Sequence, residues 1–252
     1  MSDFNRNPAA RGFGTDRAVA IDAGLRAYMI RVYNYMAGGV ALTGVLAWIT
    51  FNLSVVQNAG GTITGLTPLG QALFGSALMW VVILAPLAMV FFLSFRIQHL
   101  QAGTARALFF VYAGLVGISL AAVFMVYTQT SVTGVFFISA ASFGALSLYG
   151  YTTQRDLSAM GTFLMMGLFG IIIASLVNIF LKSSGLDWII SVIGVGVFAG
   201  LTAYDTQRIK EMYSSADDDG TLGRKAIMGA LSLYLDFINL FMMLLRLVGD
   251  RR

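Results

Sequence analysis

The chain has 252 residues, of which 58% are hydrophobic and 11% charged, with a mean hydropathy of +0.78. Soluble domains hold about 25% charged residues, so this composition excludes a soluble globule and specifies a membrane protein. With no cysteine and one histidine, His99, disulfide frameworks, thiolate chemistry and zinc sites are excluded as well. The net charge of +4 comes from bases scattered between apolar runs, not gathered on one patch, which points to membrane topology and away from nucleic acid.

Residues 1–27 mix acids, arginines and glycines with no apolar core, so they do not form a cleaved signal; a flexible cytoplasmic arm is expected. A transmembrane domain, residues 28–252, follows. Seven apolar stretches approach or exceed the length of about 20 residues that crosses a bilayer. They are Tyr28 to Phe51, Gln71 to Phe95, Arg106 to Thr128, Val132 to Tyr151, Met160 to Leu181, Trp188 to Ile209 and Ala226 to Val248. Only "QTS" separates the third from the fourth; a turn there is preferred over one long broken run. The stretches are apolar on all sides, which means helices and not a barrel.

Arg6, Arg11, Arg17, Arg26 and Arg31 lie at the N-terminal end, and Arg96, Arg106, Arg155, Arg208, Lys210, Arg224 and Lys225 lie in the second, fourth and sixth connections. That is twelve cations on one side. The other side has Lys182, Arg246, Arg251 and Arg252. The bias puts the N-terminus in the cytoplasm and, with seven crossings, the C-terminus outside, although the Arg246 to Arg252 cluster opposes this orientation. An integral membrane location is expected.

Of twelve acids, only Asp205 and Asp236 fall inside expected helices. A carboxylate at a helix centre costs about 2.5–3.5 kcal/mol on insertion scales, so each needs protein or water and a partner. On consecutive helices, each is a candidate partner for the other. Gly229, Ser232, Asp236, Asn239 and Met243 recur at steps of three or four, a small and polar stripe on the last helix. On the sixth, "GVFAG" from Gly196 to Gly200 is a small-xxx-small pattern suited to close helix approach. Depth sets a condition. Asp205 lies about 7 Å before Lys210 and Asp236 about 16 Å after Lys225, so the carboxylates meet only if the last helix begins outside the hydrocarbon.

"FISAASFGALSLYGYTTQRDLSAMG" (137–161), "FAGLTAYDTQRIK" (198–210) and "ALSLYLDFINLFMMLLRL" (230–247) closely resemble the signature segments of the Bax inhibitor motif membrane proteins, bacterial branch. The resemblance implies an all-α membrane fold in which seven transmembrane helices form three antiparallel pairs around a central seventh. It also implies a pH-sensitive calcium leak with an aspartate pair as sensor, matched here by Asp205 and Asp236. An arginine at the end of the second helix is implied near the pair; Arg96 in "LSFRIQ" matches, with Arg106 as the alternative. Some relatives carry an acid inside the second helix, whereas this chain has none between Gln71 and Phe95.

Other readings remain open. Asp205 could pair with Arg208 at i+3, and Asp236 could be structural glue bonded to Ser232 and Asn239. His99 reads as a solvated loop residue with a sensor role as the alternative. "DDDG" at 217–220 lacks the ligand spacing of a calcium loop and reads as a solvated turn. The thirteen methionines are packing or lipid-facing residues, and "NLS" from Asn52 fits a sequon in an outer loop.

Three functions compete. An aspartate pair sharing a proton would make a pH switch, and Asp205 and Asp236 would bind a permeating calcium weakly and transiently, with no resident cofactor. An intramembrane aspartyl protease also needs two helix-borne aspartates, but Asp236 follows Leu233, Tyr234 and Leu235 and not a glycine-x-glycine. A scaffold that binds other membrane proteins is the third. The first, which is not an enzyme, is preferred.

Overall fold

The computed structural model describes residues 9–58 and 60–252, with side chains from Ala23 onward. The elements in chain order are α1 (Ala9–Ser54), β1 (Val55–Gln57), β2 (Ile63–Leu66), α2 (Pro68–Phe74), α3 (Leu78–Arg96), a 3-10 turn (Ile97–His99), α4 (Ala102–Val126), α5 (Gln129–Thr152), α6 (Ser158–Leu181), α7 (Ser184–Glu211) and α8 (Asp219–Val248). Among the described residues, α1 and α3 to α8 are the seven long apolar helices that span the membrane.

Three features depart from the sequence expectation. The backbone of α1 begins at Ala9, so most of the stretch 1–27 read as an arm is helical; residues 1–8 lie outside the described residues. The second span begins at Leu78 and not Gln71. Ser76 divides it from α2: its Oγ donates to Ala72 O (2.6 Å) and accepts from Leu78 N–H (3.1 Å), ending one helix and starting the next. Between α1 and α2 lies an unanticipated antiparallel hairpin of β1 and β2. Its turn is held by Asn58 Oδ1, which accepts from Gly60 and Thr62 N–H (3.1 and 2.9 Å), and Gly61 takes φ +74°, a conformation open to glycine. The "NLS" reading is corrected. Asn52 sits on the last turn of α1 with Nδ2 bonded to Trp48 O (2.7 Å), and Ser54 is fully buried, so the segment is not an outer loop.

Polar ties define the two ends of the bundle. At one end Lys210 Nζ donates to Tyr151 O (2.9 Å), Gln207 Nε2 donates to Arg155 O (2.8 Å), and Tyr28 packs on Tyr213. At the other, Arg252 Nη1 donates to Gly61 O (3.0 Å), Arg252 N–H to Val126 O (2.9 Å) and Asp250 N–H to Ser131 Oγ (2.9 Å). Asp187 faces both Arg246 and Arg251 there, at 3.7 and 3.8 Å. The chain therefore alternates direction, and its C-terminal residues sit with the β-hairpin, opposite the start of the first span. The Arg246 to Arg252 cluster is occupied by Asp187 and backbone carbonyls, which accounts for cations at the end that is poor in them.

Consecutive spans alternate in direction around α8, but of the expected antiparallel pairs only α6 and α7 pack side by side; α1 lies instead on α4, and α5 on α7, each running the same way as its neighbour. Helix α8 touches α1, α4, α5 and α7, while α3 and α6 are outer helices on α4 and α7. The last helix is the most enclosed, with 61% of its most apolar stretch buried against 6% for α3. Leu233, Tyr234, Phe237 and Leu240 of α8 lie at the middle of the main core. Outward residues such as Trp80, Phe95, Phe163 and Phe180 are exposed and form the lipid-facing belt.

Glycine positions set the spacing of these helices. A Cβ at Gly150 of α5 would stand 2.2 Å from Ala203 O of α7, so those two backbones are in contact. In "GVFAG", Gly200 admits Leu164 of α6, whereas Gly196 faces open space. Gly194 admits Met243, and Gly229 admits Ile209, both across the α7–α8 seam.

Candidate functional site

The α7–α8 seam brings Asp205 and Asp236 together. Their carboxyl groups lie within hydrogen-bonding reach of each other. Helix α8 begins at Asp219, ahead of Lys225, so it extends beyond the start expected at Ala226. Asp218 caps that start, accepting from Thr221 N–H (3.2 Å) and the Thr221 hydroxyl. Those bonds hold its carboxyl below the usual carboxylate range, so it stays ionised at a helix N-terminus, where negative charge is favoured. The "DDDG" turn is thus a helix cap.

Asp236 is only 5% exposed, and its Oδ2 is buried with no hydrogen-bond donor facing it among the described residues. No hydrogen bond joins it to Ser232 or Asn239; Asn239 Nδ2 donates instead to Leu235 O (2.8 Å) on its own helix. Asp205 is half-buried and lines a cavity of about 80 Å³ with Arg208, Ile209, Met212, Met228, Gly229 and Ser232. Met212 and Met228 also line a larger cavity of about 330 Å³, whose wall includes Ile97, Thr221, Arg224 and Lys225. The aspartates therefore stand at the inner limit of a two-chamber vestibule at the N-terminal end.

Three cations ring this vestibule. Arg208 faces Asp205. Arg224 donates to the Thr221 hydroxyl (2.9 Å), and Lys225 pairs with Asp217 and bonds Met212 O (2.9 Å). Arg96 and Arg106 are both exposed and line neither chamber, and His99 is exposed beside Arg96. The cation that faces Asp205 in the smaller chamber is Arg208, its i+3 neighbour. A three-residue helix step places it on the same face, whereas the end of α3 is held on α4.

Beyond Asp236, toward the hairpin end, the interior is aromatic. Phe237 meets Phe143 and Phe136, each at 5.6 Å between ring centroids, and Phe241 meets Phe136 at 6.3 Å. Tyr234 stacks edge-on with Phe109 and Tyr112. The site is a polar vestibule closed by an apolar plug, with two carboxyl groups at the boundary.

Two hydroxyl chains missed by sequence reasoning brace this boundary. Thr43 Oγ1 donates to Ala113 O (2.8 Å), so the 2.7 Å bond between Thr43 and Tyr234 is donated by the tyrosine. Thr206 likewise gives its proton to Thr202 O (2.7 Å), so Ser147 donates to Thr206 (2.9 Å) and Tyr33 to Ser147 (2.7 Å). These chains fasten α1 to α8 and α1 through α5 to α7. Their local signal was a hydroxyl residue beside each motif, Thr206 after Asp205 and Tyr234 in "LYLDF"; the partners come from other helices and leave no local pattern.

Among the described residues no cluster of three or more His, Asp or Glu could hold a metal, so a cation here would rely on two carboxylates and water. Residues 25–252 match the family model described as "Inhibitor of apoptosis-promoting Bax1". The chain belongs to the Bax inhibitor family. Similar members include protein RP147 of Rickettsia prowazekii, 49% identical over 94% of this chain and 95% of that protein. The inner membrane protein YbhL of Escherichia coli K12 is 46% identical over 94% and 97%. A protein of Caulobacter vibrioides is 44% identical over the whole of both chains. As a Bax inhibitor family member, the chain is a multi-pass membrane protein, and the resemblance seen in its three motifs extends along nearly all of it.

Proposed function

We propose that the protein mediates a pH-sensitive leak of calcium or a similar cation, with Asp205 and Asp236 as the sensor. The observation that carries this reading is the contact of two carboxyl groups at the inner end of the vestibule, one of them enclosed by protein with an oxygen left without a donor. Two ionised carboxylates in contact repel, and one shared proton removes the repulsion, so the pair titrates as a unit. When the proton leaves, the two negative oxygens attract a divalent cation and Arg208 alike. The cation is cargo held by few ligands, which suits passage and not storage. The vestibule end lies in the cytoplasm in this reading, and the membrane is the inner membrane, as in the name of the Escherichia coli relative.

The test is calcium flux into dye-loaded liposomes across pH. Asp205→Asn and Asp236→Asn keep size and hydrogen-bonding capacity but cannot titrate. Each should flatten the pH profile, and the double variant should add little, since one titrating unit is lost only once. Arg208→Gln should shift the midpoint and keep the response. If both asparagine variants match wild type in flux and profile, the aspartates are structural and the leak reading fails. Orientation has its own check: a protease-cleavable tag after Arg252 should be cut from outside intact cells, and a tag cut only after lysis would reverse the topology.

A further inference from the structure

Helices α1 and α5 make little direct contact. Between them lies a cavity of about 590 Å³ lined by Arg26, Met29, Ile30 and Tyr33 of α1 and by Phe143, Gly144, Ser147, Leu148 and Tyr151 of α5. Arg26 is an exposed cation at the mouth, and its guanidinium is the one charge among those lining residues. A second cation, Lys210, stands 5.5 Å from the centre of the Tyr151 ring. From Arg26 to Tyr33 the cavity descends about 10 Å along α1. Its walls change from charged at the end of the bundle to apolar below, and its floor is the Tyr33–Ser147 hydrogen bond. Ile30 and Leu148 on its rim are exposed, so the cavity is continuous with the lipid-facing belt.

We propose that this cavity is a binding site for an anionic phospholipid of the leaflet at the N-terminal end. The phosphate is paired by Arg26, with Lys210 adding positive potential, and the first part of one acyl chain lies along Met29, Ile30, Phe143 and Leu148. Charge complementarity selects the anionic headgroup, and opening to the bilayer side selects a lipid over a soluble anion. The volume lies within the usual range for ligand pockets of about 300–1,000 Å³. Gly144 supplies room for the chain: a Cβ there would meet nothing within 4 Å. The site stands apart from the leak reading, and its test measures no flux.

The full chain, purified and delipidated in neutral detergent, would be titrated with phosphatidylglycerol, phosphatidylcholine of the same acyl chains, or inorganic phosphate. Retained lipid is read by native mass spectrometry and stabilisation by the unfolding midpoint. Phosphatidylglycerol should bind saturably and raise the midpoint, and the other two should not. Arg26→Gln should weaken phosphatidylglycerol about fivefold, with Arg26→Lys recovering much of it. Gly144→Leu should fill the cavity and weaken it with every charge in place. Gly134→Leu, also at an open position on α5, is the control and should bind like wild type. Equal retention of phosphatidylcholine, stabilisation by inorganic phosphate alone, or unchanged binding in both Arg26→Gln and Gly144→Leu would each overturn the proposal.

Discussion

Gly150→Leu is expected to abolish the assembled fold, yielding protein that aggregates on extraction while Gly134→Leu is recovered at wild-type levels. The added Cβ would stand 2.2 Å from Ala203 O and 2.9 Å from Ala203 Cα, both atoms of helix backbone. A flexible side chain can turn aside from such a clash; a backbone carbonyl cannot move without its helix. Overpacking relieved by side-chain shifts costs about 1–3 kcal/mol, and displacing two helices exceeds that. Separation of α5 from α7 would also break the Ser147–Thr206 bond three residues away. Size-exclusion chromatography and thermal unfolding in detergent read the result. A monodisperse Gly150→Leu protein with an unchanged midpoint would show that the α5–α7 contact is not needed.

The second large effect is functional. On the proposed leak, Phe237→Ala should raise calcium flux about tenfold or more, because truncating a buried phenylalanine costs a packed state about 3–5 kcal/mol and each 1.4 kcal/mol shifts an equilibrium tenfold. Phe237 is buried between Phe136 and Phe143 on the closed side of the aspartates, so the loss falls on the closed packing. The control is Phe137→Ala, which removes the ring next in sequence to Phe136 but from a position 66% exposed, and flux should stay at the wild-type level. The same liposome assay decides it. Flux that does not rise in Phe237→Ala would mean that the aromatic layer is not the barrier.

Much of this arrangement was legible in the sequence because bilayer thickness and the cost of buried charge act locally on composition. Seven apolar stretches gave seven helices, and the two acids inside them were the two that meet. The last helix, which carries the stripe of Ser232, Asp236 and Asn239, is the most enclosed of the seven, since lipid cannot satisfy those groups. Features that depend on which neighbour a residue faces were not legible. Gly196 and Gly150 look alike in sequence, yet one faces open space and the other a carbonyl of α7. Arg208, three residues after Asp205 on the same helix, was open to the sequence, whereas Thr43 and Tyr33, which reach the site from α1, were not. The hairpin was hidden because Val55–Gln57 and Ile63–Leu66 are too short to show an alternating pattern.

The central position of α8 also bears on biogenesis. Ribosomes deliver helices in chain order, so the helix that fills the middle is the last of the seven to enter the bilayer. The four helices it touches, α1, α4, α5 and α7, must wait without their central partner, and Asp236 must cross the insertion machinery before it can find Asp205. Shortening the connection at Met212–Asp218 would bring α8 to the ring sooner but leave less slack for it to thread between α1 and α5. Assembly of this protein is thus expected to be limited by its final helix, and a chain stalled before Phe237 should be a substrate for membrane quality control.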